Sequence, residues 1–173
     1  NMMSLNKNII NFLAFQIAWL ITVITAANGM QLAGPIIVLM WIAGYWYWQP
    51  KARQDLALLA SVGFVGLIVD SFLSTVGAIS FTHRPLFHAP TTIWMIILWV
   101  NFAACLRHSM SWICGRYFLS TILGVIGGPI SYVGGQKLGA IDVYSPVIVS
   151  VVWAPAMISV IWLEKITRRS INP

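Results

Sequence analysis

The chain has 173 residues, of which 59% are hydrophobic and 8% are charged, and its formal net charge is +6. Soluble domains carry about 25% charged residues, so this composition excludes a soluble domain and indicates an integral membrane protein. The basic residues stand between and beyond the apolar segments, which is typical of topology signals and does not favour nucleic-acid binding.

The apolar segments set the expected architecture. At about 20 residues per crossing, the length allows six transmembrane helices and no separate soluble domain. We therefore predict an all-α, polytopic membrane protein whose single domain covers residues 1–173. In chain order, the predicted spans are 9–27, 34–48, 56–79, 91–106, 117–136 and 143–163.

The distribution of positive charge predicts the orientation of these spans. Six crossings place the N-terminus, the loop between helices 2 and 3, the loop between helices 4 and 5, and the C-terminal tail on one side. Most of the basic residues fall on that side: Lys7, Lys51, Arg53, Arg107, Arg116, Lys165, Arg168 and Arg169. By the positive-inside rule, both termini are expected in the cytoplasm.

Predicted helix 3 carries the side chain on which the functional predictions depend. Asp70 is the one carboxylate within the apolar stretch 61–77, and it shares a helix face with Gly63, Gly66 and Ser74. An Asp at the centre of a membrane helix costs roughly 2.5–3.5 kcal/mol, so its side chain should face the protein or a wet cavity. We interpret Asp70 as the polar centre of a site in the outer half of the membrane.

A structural interpretation of the same residue stays open. Asp70 would then be held by Tyr132 or a serine hydroxyl and would only fix the packing of the helices. Similar alternatives apply to the other polar and aromatic residues inside the predicted spans, because amides bridge helices and tryptophans pack in membranes. With these alternatives stated, the predicted ligand-binding residues are Asp70, Ser74, Tyr132, Asn101, Gln16, Trp19 and Trp94.

The sequence predicts no metal site and no cofactor. His83 and His88 are five residues apart in a loop without a carboxylate or thiolate partner, which is a weak metal signal. No lysine lies inside a predicted span, so a retinal Schiff base is excluded. Catalytic residues cannot be assigned from the sequence, and whether the protein is an enzyme stays open.

Several motifs carry a resemblance over nearly the whole chain. They are Asn11-Phe-Leu-Ala-Phe-Gln16 with Trp19, Gly34-Pro35, Val69-Asp70-Ser71, Asn101 with His108-Ser109, and Gly127-Gly-Pro129 with Tyr132. The combination resembles a family of small proteobacterial inner-membrane proteins classed as a domain of unknown function. The resemblance implies a multi-pass protein of the bacterial inner membrane and no established activity.

Helices 2 and 3 have a second, shorter resemblance. A proline-led helix that ends in Trp and Tyr, a basic turn, and the motif Gly63-x-x-Gly66-x-x-x-Asp70 follow one another. This pattern resembles the rod-shape-determining MreD proteins and the substrate-binding S components of energy-coupling-factor vitamin transporters, both of which have six helices. The chain lacks a clear Ala-x-x-x-Ala docking pattern on helix 1, where Ala14 and Ala18 come nearest.

Three functions are compatible with these patterns. The first is an S-component-like protein that binds a small molecule or lipid-derived ligand in an outer-half pocket around Asp70. The second is an intramembrane enzyme of lipid or isoprenoid metabolism, with Asp70 as general acid or base and Asn101 as its orienting partner. The third is an MreD-like structural subunit that binds a membrane protein partner through its glycine faces. In each case the lipid bilayer is a partner.

Overall fold

Hydrophobic segments of 14 to 26 residues dominate the chain, and each of them forms a helix. The computed structural model describes residues 2–171, and the side chains of all of these except residues 2–5 and 87. The six helices are α1 (Met2–Ala27), α2 (Ala33–Trp48), α3 (Leu56–Thr75), α4 (Ile93–Leu106), α5 (Tyr117–Lys137) and α6 (Pro146–Ile171). The prediction of an all-α polytopic membrane protein is confirmed.

Four of the six helices are individually long and apolar enough to cross a membrane. These are α1, α3, α5 and α6, whereas α2 and α4 are shorter apolar helices. Large apolar side chains such as those of Met40, Phe64, Phe118 and Val147 are exposed on the outside of the bundle. A surface of this kind suits acyl chains and would be unfavourable in water.

The predicted end of helix 3 differs from the observed one. We expected the helix to continue to residue 79, but α3 ends at Thr75. The reason is Gly77, which adopts a φ of +72°. The N–H of Ala78 then donates to the carbonyl of Leu73 at 2.9 Å, which is the glycine-dependent cap that commonly ends a helix.

A short antiparallel sheet joins the two halves of the chain at this end of the bundle. Strand β1 (Ile79–Phe81) pairs with strand β2 (Ile141–Val143), so that Ile79 lies opposite Val143. Each strand begins with the isoleucine of a Gly-Ala-Ile sequence, at 77–79 and at 139–141. Gly139 also has a positive φ, of +83°. Neither the strands nor this repeated tripeptide was predicted from the sequence.

The chain segments predicted to share one side of the membrane do lie together. Lys7 Nζ donates to Gln49 Oε1 at 3.2 Å, which brings the start of α1 to the turn between α2 and α3. Arg107, just after α4, donates to Asp55 at 2.9 Å and to Thr167 of α6 at 2.6 Å. We call this the basic end. Its placement in the cytoplasm stays a prediction from charge, and the location in the inner membrane stays a prediction from the family resemblance.

The packing of the helices leaves a space on one side of the bundle. Helix α4 is central and packs against α1, α2 and α3, while α6 packs against α3 and α5. Among the described residues, the α5 backbone lies close to that of α6 and is near the backbones of α1 and α4 at few points, although the Trp19 ring of α1 reaches Gly134 of α5. A gap therefore lies between the α1–α4 pair and the α5–α6 pair.

Candidate functional site

Asp70 is fully buried and connects three helices. Its Oδ2 accepts a hydrogen bond from Trp99 Nε1 on α4 at 3.0 Å, and its Oδ1 accepts one from the hydroxyl of Tyr132 on α5. No described Lys, Arg or His forms an ion pair with it. Asp70 therefore faces protein rather than lipid, and neutral donors are its observed partners.

The small residues before Asp70 allow this arrangement. A Cβ atom at Gly66 would overlap the Trp99 indole, and a Cβ at Gly63 would lie 2.9 Å from Val100 Cγ2. The absence of side chains at these positions lets α4 approach α3 closely. The indole of Trp99 then lies against the α3 backbone with its N–H directed at the carboxylate one turn further on.

A second tryptophan completes an aromatic cluster around the carboxylate. Trp153 of α6 stacks on Trp99 with ring centroids 4.6 Å apart and an interplanar angle of 22°. It also meets the Tyr132 ring edge-on at 6.2 Å. Gly128 of α5 makes room for it, because a Cβ there would overlap the Trp153 ring.

A cavity of about 330 Å³ occupies the gap between the α1–α4 pair and the α5–α6 pair. Its lining is almost entirely apolar. The aromatic residues that line it are Phe15, Trp19, Trp94, Trp99, Phe102, Trp112, Tyr132 and Trp153. On α5, glycines form the wall, and a Cβ at Gly127 would meet no atom within 4 Å.

The structure brings some of the predicted ligand-binding residues to this cavity and leaves others away from it. Tyr132, Trp19 and Trp94 line it. Asp70 does not, because the rings of its two hydrogen-bond donors stand between the carboxylate and the cavity. Ser74 is partly buried but is not among the lining residues, and Gln16 is exposed on the outside of α1.

Asn101 lies on the other side of α4 from Trp99, the donor to Asp70. Its Oδ1 accepts from Trp41 Nε1 at 2.9 Å, and its Nδ2 donates to the carbonyl of Phe15 at 3.1 Å. Residues two positions apart on a helix point about 200° away from each other, so Asn101 and Trp99 face different neighbours. The predicted pair of Asp70 and Asn101 is therefore not brought together, and Asn101 bridges α1, α2 and α4.

Asn11 makes a similar bridge near the basic end. Its Nδ2 donates to the carbonyl of Ala104 at 3.1 Å, while Ser109 Oγ donates to its Oδ1 at 2.6 Å. The side-chain amides of Asn11 and Asn101 thus both form hydrogen bonds to other helices or loops, which suits an apolar environment.

The ionic network at the basic end was not predicted from the sequence. Arg107 contacts Asp55 Oδ1 at 2.9 Å and Glu164 Oε1 at 3.2 Å, and all three side chains are at most 8% exposed. His108 Nε2 lies 2.8 Å from Asp55 Oδ2, and Arg168 lies 2.7 Å from Glu164. The partners are more than 50 residues apart along the chain, apart from the last pair, so charge spacing could not reveal them.

Histidines and carboxylates are not assembled into a metal site in the part of the chain that the structure describes. His83, one of the two loop histidines, instead contacts the carbonyl of Ala27 through Nε2 at 3.0 Å.

A comparison with known families gives one match. The sequence profile of a family described as "Protein of unknown function (DUF2878)" matches residues 8–163. The resemblance to a family of unknown function is thereby confirmed, whereas the resemblances to MreD proteins and to S components stay predictions. No curated protein matches the chain, and no solved structure does.

Proposed function

Because the chain belongs to the DUF2878 family, whose function is unknown, we propose from its geometry that this membrane protein binds a lipid-derived, apolar ligand in the tryptophan-walled cavity. The observation that carries the proposal is the cavity itself. It combines aromatic walls on α1, α4 and α6 with a glycine wall on α5, in the gap between the α1–α4 pair and the α5–α6 pair.

The size and the lining of the cavity narrow the class of ligand. Small-molecule pockets usually range from about 300 to 1,000 Å³ and are mostly apolar with few polar groups. At about 30 Å³ per water-sized group, 330 Å³ holds roughly eleven such groups. This volume suits part of an acyl or isoprenoid chain. A charged or sugar-like ligand would find too few hydrogen-bond partners and would pay a large desolvation cost.

Asp70 has a positioning role in this proposal. It does not line the cavity, but it holds the indole of Trp99 and the ring of Tyr132, which do. The carboxylate would therefore fix the shape of the aromatic wall instead of touching the ligand.

Neither alternative function is favoured by a specific observation. The intramembrane enzyme needs Asp70 and Asn101 near a common substrate. Asp70 contacts Trp99 on one side of α4, whereas Asn101 contacts Trp41 on another side of the same helix. The scaffold needs glycine faces exposed to lipid, yet Gly66 packs against Trp99 and Gly124 packs against Met157 within the chain.

The proposal is tested by filling the cavity from its glycine wall. A Gly127→Leu side chain would enter space in which no atom lies within 4 Å. Gly44→Leu is the matched control, because Gly44 is as unobstructed and as exposed as Gly127 but lies on α2, away from the cavity. The measurement is quenching of tryptophan emission by a dibrominated fatty acid added to delipidated protein in detergent.

We expect saturable quenching for the unmodified chain and for Gly44→Leu. Gly127→Leu should bind about tenfold more weakly, because it displaces roughly two methylene groups of ligand at about 0.8 kcal/mol each. Equal quenching of all three proteins, or quenching that rises linearly without saturation, would refute the proposal.

A further inference from the structure

A second pocket, of about 190 Å³, lies at the basic end of the bundle. It is formed where the start of α1, the end of α2 and the 3-10 turn before α3 meet the residues that follow α4. The side chains that matter to its chemistry are Lys7, Tyr45, Lys51, Asp55 and His108. This pocket shares no lining residue with the tryptophan-walled cavity.

The charges around this pocket are not balanced. The carboxylate of Asp55 is already occupied, since Arg107 contacts its Oδ1 at 2.9 Å and His108 contacts its Oδ2 at 2.8 Å. Lys7 Nζ has an amide oxygen as its partner, 3.2 Å away on Gln49, and lies 5.8 Å from the centre of the Trp48 ring. Among the described residues, neither Lys7 nor Lys51 forms an ion pair.

Two lysines, Lys7 and Lys51, therefore line a pocket whose single carboxylate, that of Asp55, is already paired. His108 also lines the pocket with its Nε2 2.8 Å from Asp55 Oδ2, and Tyr45 packs edge-on against the His108 ring at 5.1 Å. Each Lys ammonium offers three donors and no acceptor. The group that satisfies several donors and two positive charges together is an anion with several oxygens.

We propose that this pocket binds a phosphate group, carried either by a lipid headgroup or by a soluble phosphate ester. The volume is sufficient, because 190 Å³ holds roughly six water-sized groups and a phosphate has five non-hydrogen atoms. The location also fits both sources. The pocket lies beside Trp48 at the end of α2, where headgroups and solutes both have access if this end meets the membrane surface.

The experiment compares two variants of equal charge. In the pocket variant, Lys7→Gln is combined with Lys51→Gln. In the control, Lys165→Gln is combined with Arg169→Gln, which removes two exposed positive charges from α6 at the same end. One arm measures retention of phosphatidic acid by native mass spectrometry of the full chain released from nanodiscs. The other measures the affinity of glycerol 3-phosphate for the chain in nanodiscs made only of phosphatidylcholine.

We expect the pocket variant to bind about 25-fold more weakly, at roughly fivefold for each lysine near a membrane surface, and the control to change by less than about twofold. Loss of phosphatidic acid in the pocket variant alone identifies a lipid headgroup, and loss of glycerol 3-phosphate alone identifies a soluble ester. Lys7→Arg with Lys51→Arg keeps both charges and should keep binding, which separates lost charge from lost folding.

Equal effects of the pocket and control variants, absence of saturable binding in both arms, or failure of the arginine variant to bind would each overturn the proposal. These results do not depend on the tryptophan-walled cavity, because neither variant changes a residue that lines it.

Discussion

The carboxylate of Asp70 is stabilised by donors from two other helices. Burying a charged or polar group without partners costs several kcal/mol, and the indole of Trp99 and the hydroxyl of Tyr132 supply those partners. Because α3, α4 and α5 each contribute one of the three side chains, this contact is expected to affect stability as well as the shape of the cavity wall.

Replacing Tyr132 by Phe tests the contribution of this hydrogen bond. The variant leaves Oδ1 of Asp70 without a partner, so we expect unfolding to become easier by about 1–2 kcal/mol. Tyr144→Phe is the control, because its hydroxyl bonds Ser80 at the exposed end of the bundle, and it should change stability by less than about 0.5 kcal/mol. Reversible unfolding in mixed micelles measures both values. Similar values for the two variants would contradict this interpretation.

Cys114 provides a prediction that depends on pH. It lies in the turn between α4 and α5, where burial raises the pKa of its thiol to about 11 and the charge of Glu164 adds to the effect. A raised pKa leaves the unreactive thiol form dominant at pH 8. With Cys105 replaced by Ala, alkylation by iodoacetamide should be about 100-fold slower than for an ordinary thiol and should accelerate about tenfold per pH unit up to that pKa.

A matched reference for this measurement is a cysteine at the exposed neighbouring position, Ser111→Cys, in a chain that carries Cys114→Ala and Cys105→Ala. The alkylation rate of this cysteine should have the pH dependence of a thiol with an ordinary pKa. If both cysteines react at the same rate at pH 8, Cys114 is more accessible than the structure indicates.

The direction of a side chain was predictable from the sequence only where a single physical reason determined its burial. The cost of an intramembrane carboxylate indicated that Asp70 faces protein, and Tyr132 was considered as a partner in the structural interpretation. Its second donor, Trp99, was not among the predicted ligand-binding residues, because helical periodicity does not reveal which ring reaches across 29 residues. Gln16 was predicted to bind the ligand, yet it is exposed on the outside of α1, since polarity alone does not fix the direction of a side chain on an apolar helix.

At the scale of helices, α1 and α2 cross so closely that their contact depends on glycine. A Cβ at Gly34 would lie 2.7 Å from Cα of Thr22, and a backbone atom cannot rotate away as a side chain does. Gly34→Ala should therefore separate the two helices and destabilise the fold by about 1–3 kcal/mol.

Gly44→Ala, on the same helix, is the control for Gly34→Ala. No atom lies within 4 Å of its Cβ position, so the variant should be neutral or slightly stabilising through its better helix propensity. Unfolding in mixed micelles compares the two variants. A Gly34→Ala protein as stable as the control would show that the crossing is less constrained than its geometry indicates.

Elements were predictable from hydrophobicity, whereas their exact ends were not. The boundaries of α2 and α5 lie within one residue of the predicted spans, because aromatic and basic residues mark them clearly. The strands β1 and β2 were missed since each has only three residues, which is too short for a periodic pattern. The tripeptides at 77–79 and 139–141 were the available signal, because glycine caps a helix in both.

For the whole molecule, the network around Arg107 joins the beginning of α3 to the ends of α4 and α6. Arg107→Met would leave the buried carboxylates of Asp55 and Glu164 without their main partner, so we expect a loss of about 3 kcal/mol in stability. Arg168→Met also removes a partner of Glu164, but the side chain of Arg168 is 51% exposed, and its loss should cost less than about 1 kcal/mol.

The same unfolding measurement in mixed micelles distinguishes the two arginines. Comparable losses for Arg107→Met and Arg168→Met would mean that the network is screened by solvent and does not hold the basic end together.

The overall architecture was the most predictable level, because the bilayer restricts the possible folds. The composition predicted a membrane protein, and the distribution of basic residues predicted that Lys7, Arg107 and Arg168 share one end. In the structure each of them contacts neighbouring residues at that end. The position of the cavity was not predictable. It depends on the α5 backbone packing beside α6 and away from α4, and no local pattern encodes which helix backbones stay apart.

The gap beside α5 also determines the route by which a ligand would enter the cavity. Trp19, Trp112 and Leu123, which border the cavity, are partly accessible on the flank of the bundle that apolar residues cover. Entry would then be sideways, from among the fatty-acyl tails, without passage through water. The occupied fraction of the cavity would accordingly follow the mole fraction of the ligand in the surrounding bilayer. Dilution of the membrane with inert lipid would lower this fraction even if the aqueous concentration of the ligand stayed constant.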